Sequence, residues 1–398
     1  MGFESLLITV TGKDRPGIIS QLASILAERQ VILSDVEQVV LHGQLILGFS
    51  FETADGDGAV ESIAAASEKM NLAMEYQRFE MTSRLGVKPE RPVPAVRYAL
   101  TLIGQNLGAA ELAEVSAIAS DHHTNIERIV QLSEDRLKAI ELQLSIPHTS
   151  EAAELKKSLL KSAMRGKFDV ALQKEGLFRR SKRLIVFDMD STLIRIEVID
   201  ELARLHGVGE QVSKITERAM AGEMDYDDSL RQRVALLKNL SEVALNDLVA
   251  GLPLNDGAEV LIRVLKRMGY RIAVISGGFS VAADALKAKL GIHHAFSNVL
   301  EIREGRLTGE VVGEIVNAKR KAELLVDIAA SENILLDQVI AVGDGANDLL
   351  MLEKAGLGIA FRAKQRLRDA ADTSLSSSGL NAILYLLGIS ERELSEVV

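Results

Sequence analysis

Two acids spaced i, i+2 close the run Leu184-Ile185-Val186-Phe187-Asp188-Met189-Asp190-Ser191-Thr192-Leu193. Four apolar residues lead into them, behind the basic stretch Arg179-Arg180-Ser181-Lys182-Arg183, so the segment reads as a short buried strand of a parallel sheet. Acids at the carboxyl end of such a strand lie in the crevice where open α/β sheets bind ligands. One carboxylate can attack as a nucleophile while the other moves protons. A lone pair of Asp residues is common in turns and caps; its company carries the reading. The strand Tyr270–Ile275 ends in Ser276-Gly277-Gly278-Phe279, and the strand Val339–Val342 ends in Gly343-Asp344-Gly345-Ala346-Asn347-Asp348. Between them, Asn317-Ala318-Lys319-Arg320-Lys321 opens a helical pattern.

These residue types suit phosphate-ester hydrolysis, which needs a nucleophile, charge neutralisation and a proton for the leaving group. Asp188 is the expected nucleophile, and Asp190 the general acid and then base. The Ser276 hydroxyl and the Gly277 N–H, expected at the start of a helix, form an anion site, and Gly277 and Gly278 let the backbone approach closely. Lys319 is the expected catalytic cation, touching both phosphate and nucleophile, and Asn347 orients the same groups. Neighbouring carboxylates recruit a cation; Mg²⁺ fits oxygen ligands, with Asp188 and Asp344 supplying side-chain oxygens. Taken singly, Lys319 reads as a solvated charge, Asp344, Asp348 and Asn347 as caps, and Gly277-Gly278 as a turn. Together and in this order they read as a site.

The order of motifs resembles the haloacid dehalogenase-like phosphatase superfamily over roughly residues 180 to 375, and within it the phosphoserine phosphatases. The resemblance implies that Asp190 also contributes to the metal through its backbone carbonyl and that Asp348 supports the site from behind. It implies a substrate set of Glu197, Met220, Tyr226 and Arg233, with Tyr226 standing where Phe is usual. Glu197 suits a substrate ammonium and Arg233 a carboxylate, although singly they read as a helix-start acid and a surface charge. The expected reaction is therefore Mg²⁺-dependent hydrolysis of O-phospho-L-serine to L-serine and phosphate, the last step of serine biosynthesis, through an aspartyl-phosphate. Two rivals stand beside it: a same-fold enzyme acting on another small phosphate ester, and a non-catalytic amino-acid sensor.

Upstream, residues 1–84 read as strand, turn, helix, strand, strand, helix, strand, the ferredoxin-like βαββαβ pattern. Arg84–Pro94, with three prolines, reads as a linker. The pattern then restarts over 95–170: Tyr98–Gly104 echoes the first strand, Ala110–Ser120 the helix, and Ile126–Gln131 echoes Leu33–Gln38. The first unit resembles the ACT domain at Gly12-Lys13-Asp14-Arg15-Pro16-Gly17, which implies that Asp14, Arg15, Pro16 and Gly17 bind a regulatory amino acid. The second lacks Asp-Arg-Pro at Gly104–Gly108. The resemblance also implies a homodimer, with dimerisation alone as the rival role for the repeat. Phe168–Arg183 leads into a phosphatase domain over 180–398, a doubly wound, mostly parallel α/β sheet with a small helical cap at about 198–252 that covers the site.

At 398 residues, two to three domains are expected, and 47% apolar content supplies their cores. With no cysteine, disulfides and thiolate metal sites are excluded. Apolar runs fall short of the roughly 18 residues of a membrane span, and a signal-peptide pattern is missing, so a cytoplasmic location without a membrane partner is expected. The net charge of −10 and the absence of Trp argue against a nucleic-acid partner. Local positive groups and a metal must then draw in an anionic substrate.

Overall fold

The computed structural model describes residues 4–79, 96–105, 107–133, 138–147, 149–166 and 168–397. The linker expected at Arg84–Pro94 and Asn106 lie outside the described residues. The chain divides into two units, Met1–Val93 and Pro94–Val398.

In the first unit the elements are β1 (Glu4–Lys13), α1 (Ile18–Glu28), β2 (Ile32–Leu41), β3 (Gln44–Thr53), α2 (Gly56–Lys69) and β4 (Ala73–Phe79). They form an antiparallel sheet of order β2-β3-β1-β4. Alternation sets its core: Leu6, Ile8 and Val10 of β1 and Leu45, Leu47, Phe49 and Phe51 of β3 point to one face and pack with Leu22 and Leu26 of α1 and Ile63 of α2. Before α1, Gly17 sits at φ 96°, a left-handed conformation that suits glycine. The neighbouring Asp14, Arg15 and Pro16 are exposed.

The second copy of the pattern is β5 (Val96–Ile103), α3 (Ala109–Asp121), β6 (Asn125–Gln131), β7 (Ala139–Ile146), α4 (Thr149–Gly166) and β8 (Asp169–Lys174). Its order β6-β7-β5-β8 matches that of the first copy. Strand β8 lies in the stretch read as a lead-in, beyond the expected boundary at 170; it pairs with β5 over Tyr98↔Lys174 to Ile103↔Asp169.

Downstream follow β9 (Leu184–Phe187), cap helices α5 (Val198–His206), α6 (Gly209–Met220), α7 (Tyr226–Ala235) and α8 (Glu242–Ala250), then α9 (Ala258–Arg267), β10 (Arg271–Phe279), α10 (Ser280–Leu290), the hairpin β11 (His294–Arg303) and β12 (Arg306–Val312), α11 (Ala318–Ser331), β13 (Val339–Gly343), α12 (Leu349–Lys354), β14 (Leu357–Phe361), α13 (Gln365–Ala370), β15 (Thr373–Leu375), α14 (Ile383–Leu386) and α15 (Glu391–Val397). One sheet of order β12-β11-β10-β9-β13-β14-β15-β8-β5-β7-β6 runs through this whole unit. Strands β10, β9, β13, β14 and β15 are parallel. The antiparallel pairing Thr373↔Ala171 joins the second copy to the downstream parallel sheet. Helices cover both faces, so β9, β13 and β14 are wholly buried and nearly continuous in apolar residues. The chain winds outward from β9 to β10 and β11, then returns to β13 on the other side. That reversal opens a crevice at the carboxyl ends of β9, β10 and β13. Among the described residues no helix is long and apolar enough to cross a membrane.

Candidate active site

Strand β9 delivers Asp188 to this crevice, its N–H donating to the Val342 carbonyl at 2.8 Å. The chain then leaves the sheet in a wide turn, Met189–Leu193, with Ser191 at φ 57°. That conformation costs a non-glycine residue about 1–2 kcal/mol, and buried Asn255 holds it in place. Its side-chain amide donates to the carbonyls of Ser191 (3.2 Å), Thr192 (2.7 Å) and Ile194 (3.1 Å). The turn aims both Asp188 and Asp190 into one cavity. Asp190 Oδ1 accepts from the Val198 N–H at 3.2 Å, anchoring the acid to the first cap helix.

The structure corrects the expected cation. Lys319 is 84% exposed and faces Glu323; Lys321 is wholly buried and donates to Asp188 Oδ1 at 2.6 Å and Asp348 Oδ1 at 2.7 Å. The reason is helical phase. Asn317 caps α11 by accepting from the Arg320 N–H, and the inward face is fixed by Leu324, Leu325 and Ile328. Lys321 falls on that stripe at i−3, i−4 and i−7, whereas Lys319 does not. The signal was therefore in the sequence, in the spacing to the apolar residues rather than in the first lysine of the run.

Ser276 is also differently placed. It lies inside β10, and the helix begins at Ser280, four residues later than expected. Its buried hydroxyl accepts from the Gly278 N–H at 2.8 Å. A Cβ on Gly278 would collide with Asp190 Oδ2 and the Met189 methyl, and one on Gly277 with the Tyr226 hydroxyl, so both positions require glycine for close approach. Tyr226 Oη donates to the Gly277 carbonyl at 3.1 Å, tying the cap to this loop.

The cavity, of about 770 Å³, is lined by Asp188, Asp190, Glu197, Met220, Tyr226, Arg233, Ser276, Gly277, Gly278, Asp344 and Asn347, which brings every expected catalytic, substrate-binding and metal-binding residue except Lys319 to its wall. Asp348 lies buried behind it, accepting from Lys321 and from the Gly345 N–H at 3.0 Å. Sequence reading missed Asp200, Lys364 and Leu367, which also face the cavity. Glu197 Oε1 accepts from the Ser191 hydroxyl at 2.7 Å, and Arg233 Nε donates to the Ser229 carbonyl at 3.3 Å.

Burial dominates the electrostatics. It raises Asp188, with Asp348 adding to the rise and Lys321 opposing it. Burial and the Glu197 charge push Asp190 up to about 8, so at neutral pH it holds the proton a general acid must give. Burial and Asp348 push Asp344 to about 7. Burial opposes the Lys321 charge, but Asp188 and Asp348 outweigh it and raise the group above the ordinary lysine value. Oxygens of Asp188, Asp344 and Asp348 lie within 4.8 Å of one another. Both Asp348 oxygens already have N–H partners, so Asp188 and Asp344 are the carboxylates left to hold a hard cation; Thr192 Oγ1 orients Asp344 at 3.2 Å. The Asp190 carboxyl stands outside this trio.

A family model for haloacid dehalogenase-like hydrolases matches residues 182–356, and ACT-domain models match 4–77 and 97–173. A phosphoserine phosphatase of Streptomyces coelicolor is 41% identical over 98% of this chain and 93% of its own length. The chain belongs to the phosphoserine phosphatase family. A second member of that family, from Mycobacterium tuberculosis, is 40% identical over 98% of this chain and 94% of its own. The crystal structure of a probable phosphoserine phosphatase from Vibrio cholerae, in an unliganded form, superposes with a TM-score of 0.59 at 34% identity, covering 75% of this chain and 89% of that one. As a haloacid dehalogenase-like member of the phosphoserine phosphatases, with two ACT domains ahead of it, the chain is a phosphoric monoester hydrolase.

Proposed function

We propose that this enzyme hydrolyses O-phospho-L-serine to L-serine and phosphate through an aspartyl-phosphate at Asp188. The observation that carries the reading is Asp188 itself: buried against Lys321, facing a cavity whose cap wall holds both an acid, Glu197, and an arginine, Arg233. That pair suits a substrate bearing an ammonium and a carboxylate besides its phosphate. The names of the two full-length relatives point the same way.

An Asp188 carboxylate oxygen attacks phosphorus as the bond from phosphorus to the serine oxygen breaks. Asp190 gives its proton to that departing oxygen. Asp190, now ionised, takes a proton from water, which attacks the aspartyl-phosphate, and the bond from phosphorus to Asp188 breaks. Lys321 holds the nucleophile's other side and balances charge, while Ser276, Gly277 and Gly278 surround the phosphoryl oxygens. Asp188 and Asp344 would hold Mg²⁺, joined in the family pattern by the Asp190 carbonyl, and the ion supplies charge neutralisation at the phosphoryl group. The cap helices, tied down through Tyr226 and Asp190, exclude water.

The same proposal assigns the exposed loop Asp14-Arg15-Pro16-Gly17 to a regulatory amino acid and the uncovered strand β2 to a homodimer seam. All ten β2 residues are exposed, Ile32, Val36 and Leu41 among them. Arg233→Ala tests the substrate assignment: phosphoserine turnover collapses while hydrolysis of p-nitrophenyl phosphate persists. Equal survival of both activities contradicts it.

A further inference from the structure

A second cavity, of about 460 Å³, lies where α4 of the second repeat meets α13 and β15 of the phosphatase domain. Leu160, Ala163, Met164, Phe168 and Val170 give its wall an apolar part, and Asp169, Arg368 and Asp369 bring charge to the rest. Asp169 is satisfied, accepting from the Ser376 N–H at 2.7 Å and from the Ser377 N–H and hydroxyl at 3.2 and 3.0 Å. Arg368 is not. Its buried Nε has no hydrogen-bond partner, and the side chain forms no ion pair among the described residues. A buried donor left unpaired is costly. The complement of a guanidinium edge is a carboxylate, and the apolar wall opposite favours an organic acid over an inorganic anion.

Helix α13 faces both cavities. Gln365, Arg368 and Asp369 line this one, while Leu367, with Lys364 just before the helix, lines the catalytic cavity. Helix α4 holds the far end of α13, where Lys156 Nζ donates to the Ala371 carbonyl at 2.8 Å. A ligand bound to Arg368 therefore pulls on an element that forms part of the catalytic wall.

We propose that this junction cavity binds a small organic carboxylate with an apolar body, its carboxylate on Arg368, and that occupancy alters substrate binding through α13. An amino acid and its deaminated analogue share that chemistry; Asp369, which accepts from Gln365 Nε2 at 2.6 Å, also lines the wall and would favour the ammonium-bearing form. The binding half stands independently of the catalytic proposal, and the coupling half rests on it.

Calorimetry on the full chain with L-leucine and with 4-methylpentanoate tests it. Saturable heat is expected from at least one probe, weakened at least tenfold in Arg368→Gln, abolished in the cavity-filling Ala163→Phe, and unchanged in Arg15→Ala of the N-terminal loop. Retained p-nitrophenyl phosphate turnover reports that each variant is folded. Binding of L-leucine alone assigns the amino-acid form; equal binding of both assigns the carboxylate alone. No heat from either probe, or equal affinity in Arg368→Gln, overturns the site. For the coupling, the bound probe is expected to shift KM for phosphoserine at least twofold in the native chain and not in Arg368→Gln; an unshifted KM with saturated cavity overturns it, while loss of phosphoserine turnover altogether points to the catalytic proposal instead.

Discussion

The phosphatase crevice buries its charges, while the N-terminal unit exposes its hydrophobes. In the crevice, Lys321 and Asp348 are wholly removed from solvent and Asp188 nearly so. In the first unit, an entire ten-residue edge strand lies open, with Ile32 59% and Leu41 57% exposed. Burial of charge is costly unless the groups pair closely, and a long open apolar edge invites pairing with another chain. In the proposed function, the first departure is where bonds are made and broken and the second is where another copy of the chain docks.

Removing one member of the buried charge group is the severest way to break this contrast. Lys321→Met is expected to lower kcat by about 10³-fold, on the scale of losing a charge-stabilising donor, and to cost about 3–5 kcal/mol in urea unfolding. The paired control is Lys319→Ala, whose exposed contact with Glu323 is worth at most about 1 kcal/mol; kcat within twofold of the native value is expected. Equal losses in the two variants would return the catalytic role to Lys319.

In the first unit the contrast sharpens differently. Phe49→Ala, in the buried face, is expected to destabilise by about 3–5 kcal/mol. Val36→Lys with Val40→Lys, on the open strand, should change unfolding by no more than about 0.5 kcal/mol each, yet shift sedimentation from dimer to monomer. A monomer in both forms would remove the partner from the account.

Between these lies Asn255. Asn255→Ala frees three carbonyls of the catalytic turn and is expected to cost about 1–3 kcal/mol, with a fall in kcat as the Ser191 conformation relaxes. The smallest effect concerns pH. Burial lowers Lys182 to about 8, and its ammonium donates to the Asp337 and Gly356 carbonyls at 2.6 and 2.9 Å. Between about 8 and the ordinary lysine value the unfolded chain holds a proton that the folded chain has shed, so stability contributed by this group rises with pH across that window. Urea midpoints of the native chain should therefore gain on those of Lys182→Met as pH is raised from 8 to 10; a flat difference contradicts the shift.

Much of this arrangement was legible in the chain. Short apolar strands ending in Asp188, Ser276 and Asp344 exposed the crevice, because a parallel sheet buries its strands and displays their ends. The repeat was legible as pattern, but its outcome was not. Strands β4 and β8 occupy the same place in the two copies. Yet β4 is mostly exposed, with Phe79 49% accessible, while β8 is mostly buried because β15 lies beside it. That neighbour comes from about 200 residues downstream in the chain, beyond the reach of local periodicity. Within Lys319-Arg320-Lys321 only the phase against Leu324, Leu325 and Ile328 sets Lys321 apart, and Asn255, a single amide that holds a turn, has no spacing to announce it.

In the proposed reaction Asp188 carries the phosphoryl group during turnover. Rapid acid quench of the native enzyme with phosphoserine and Mg²⁺, followed by peptide mass spectrometry, tests it directly. A phosphoryl adduct is expected on the peptide containing Asp188, absent from Asp188→Asn. An adduct on another side chain, or full turnover by the Asp188→Asn variant, would contradict it.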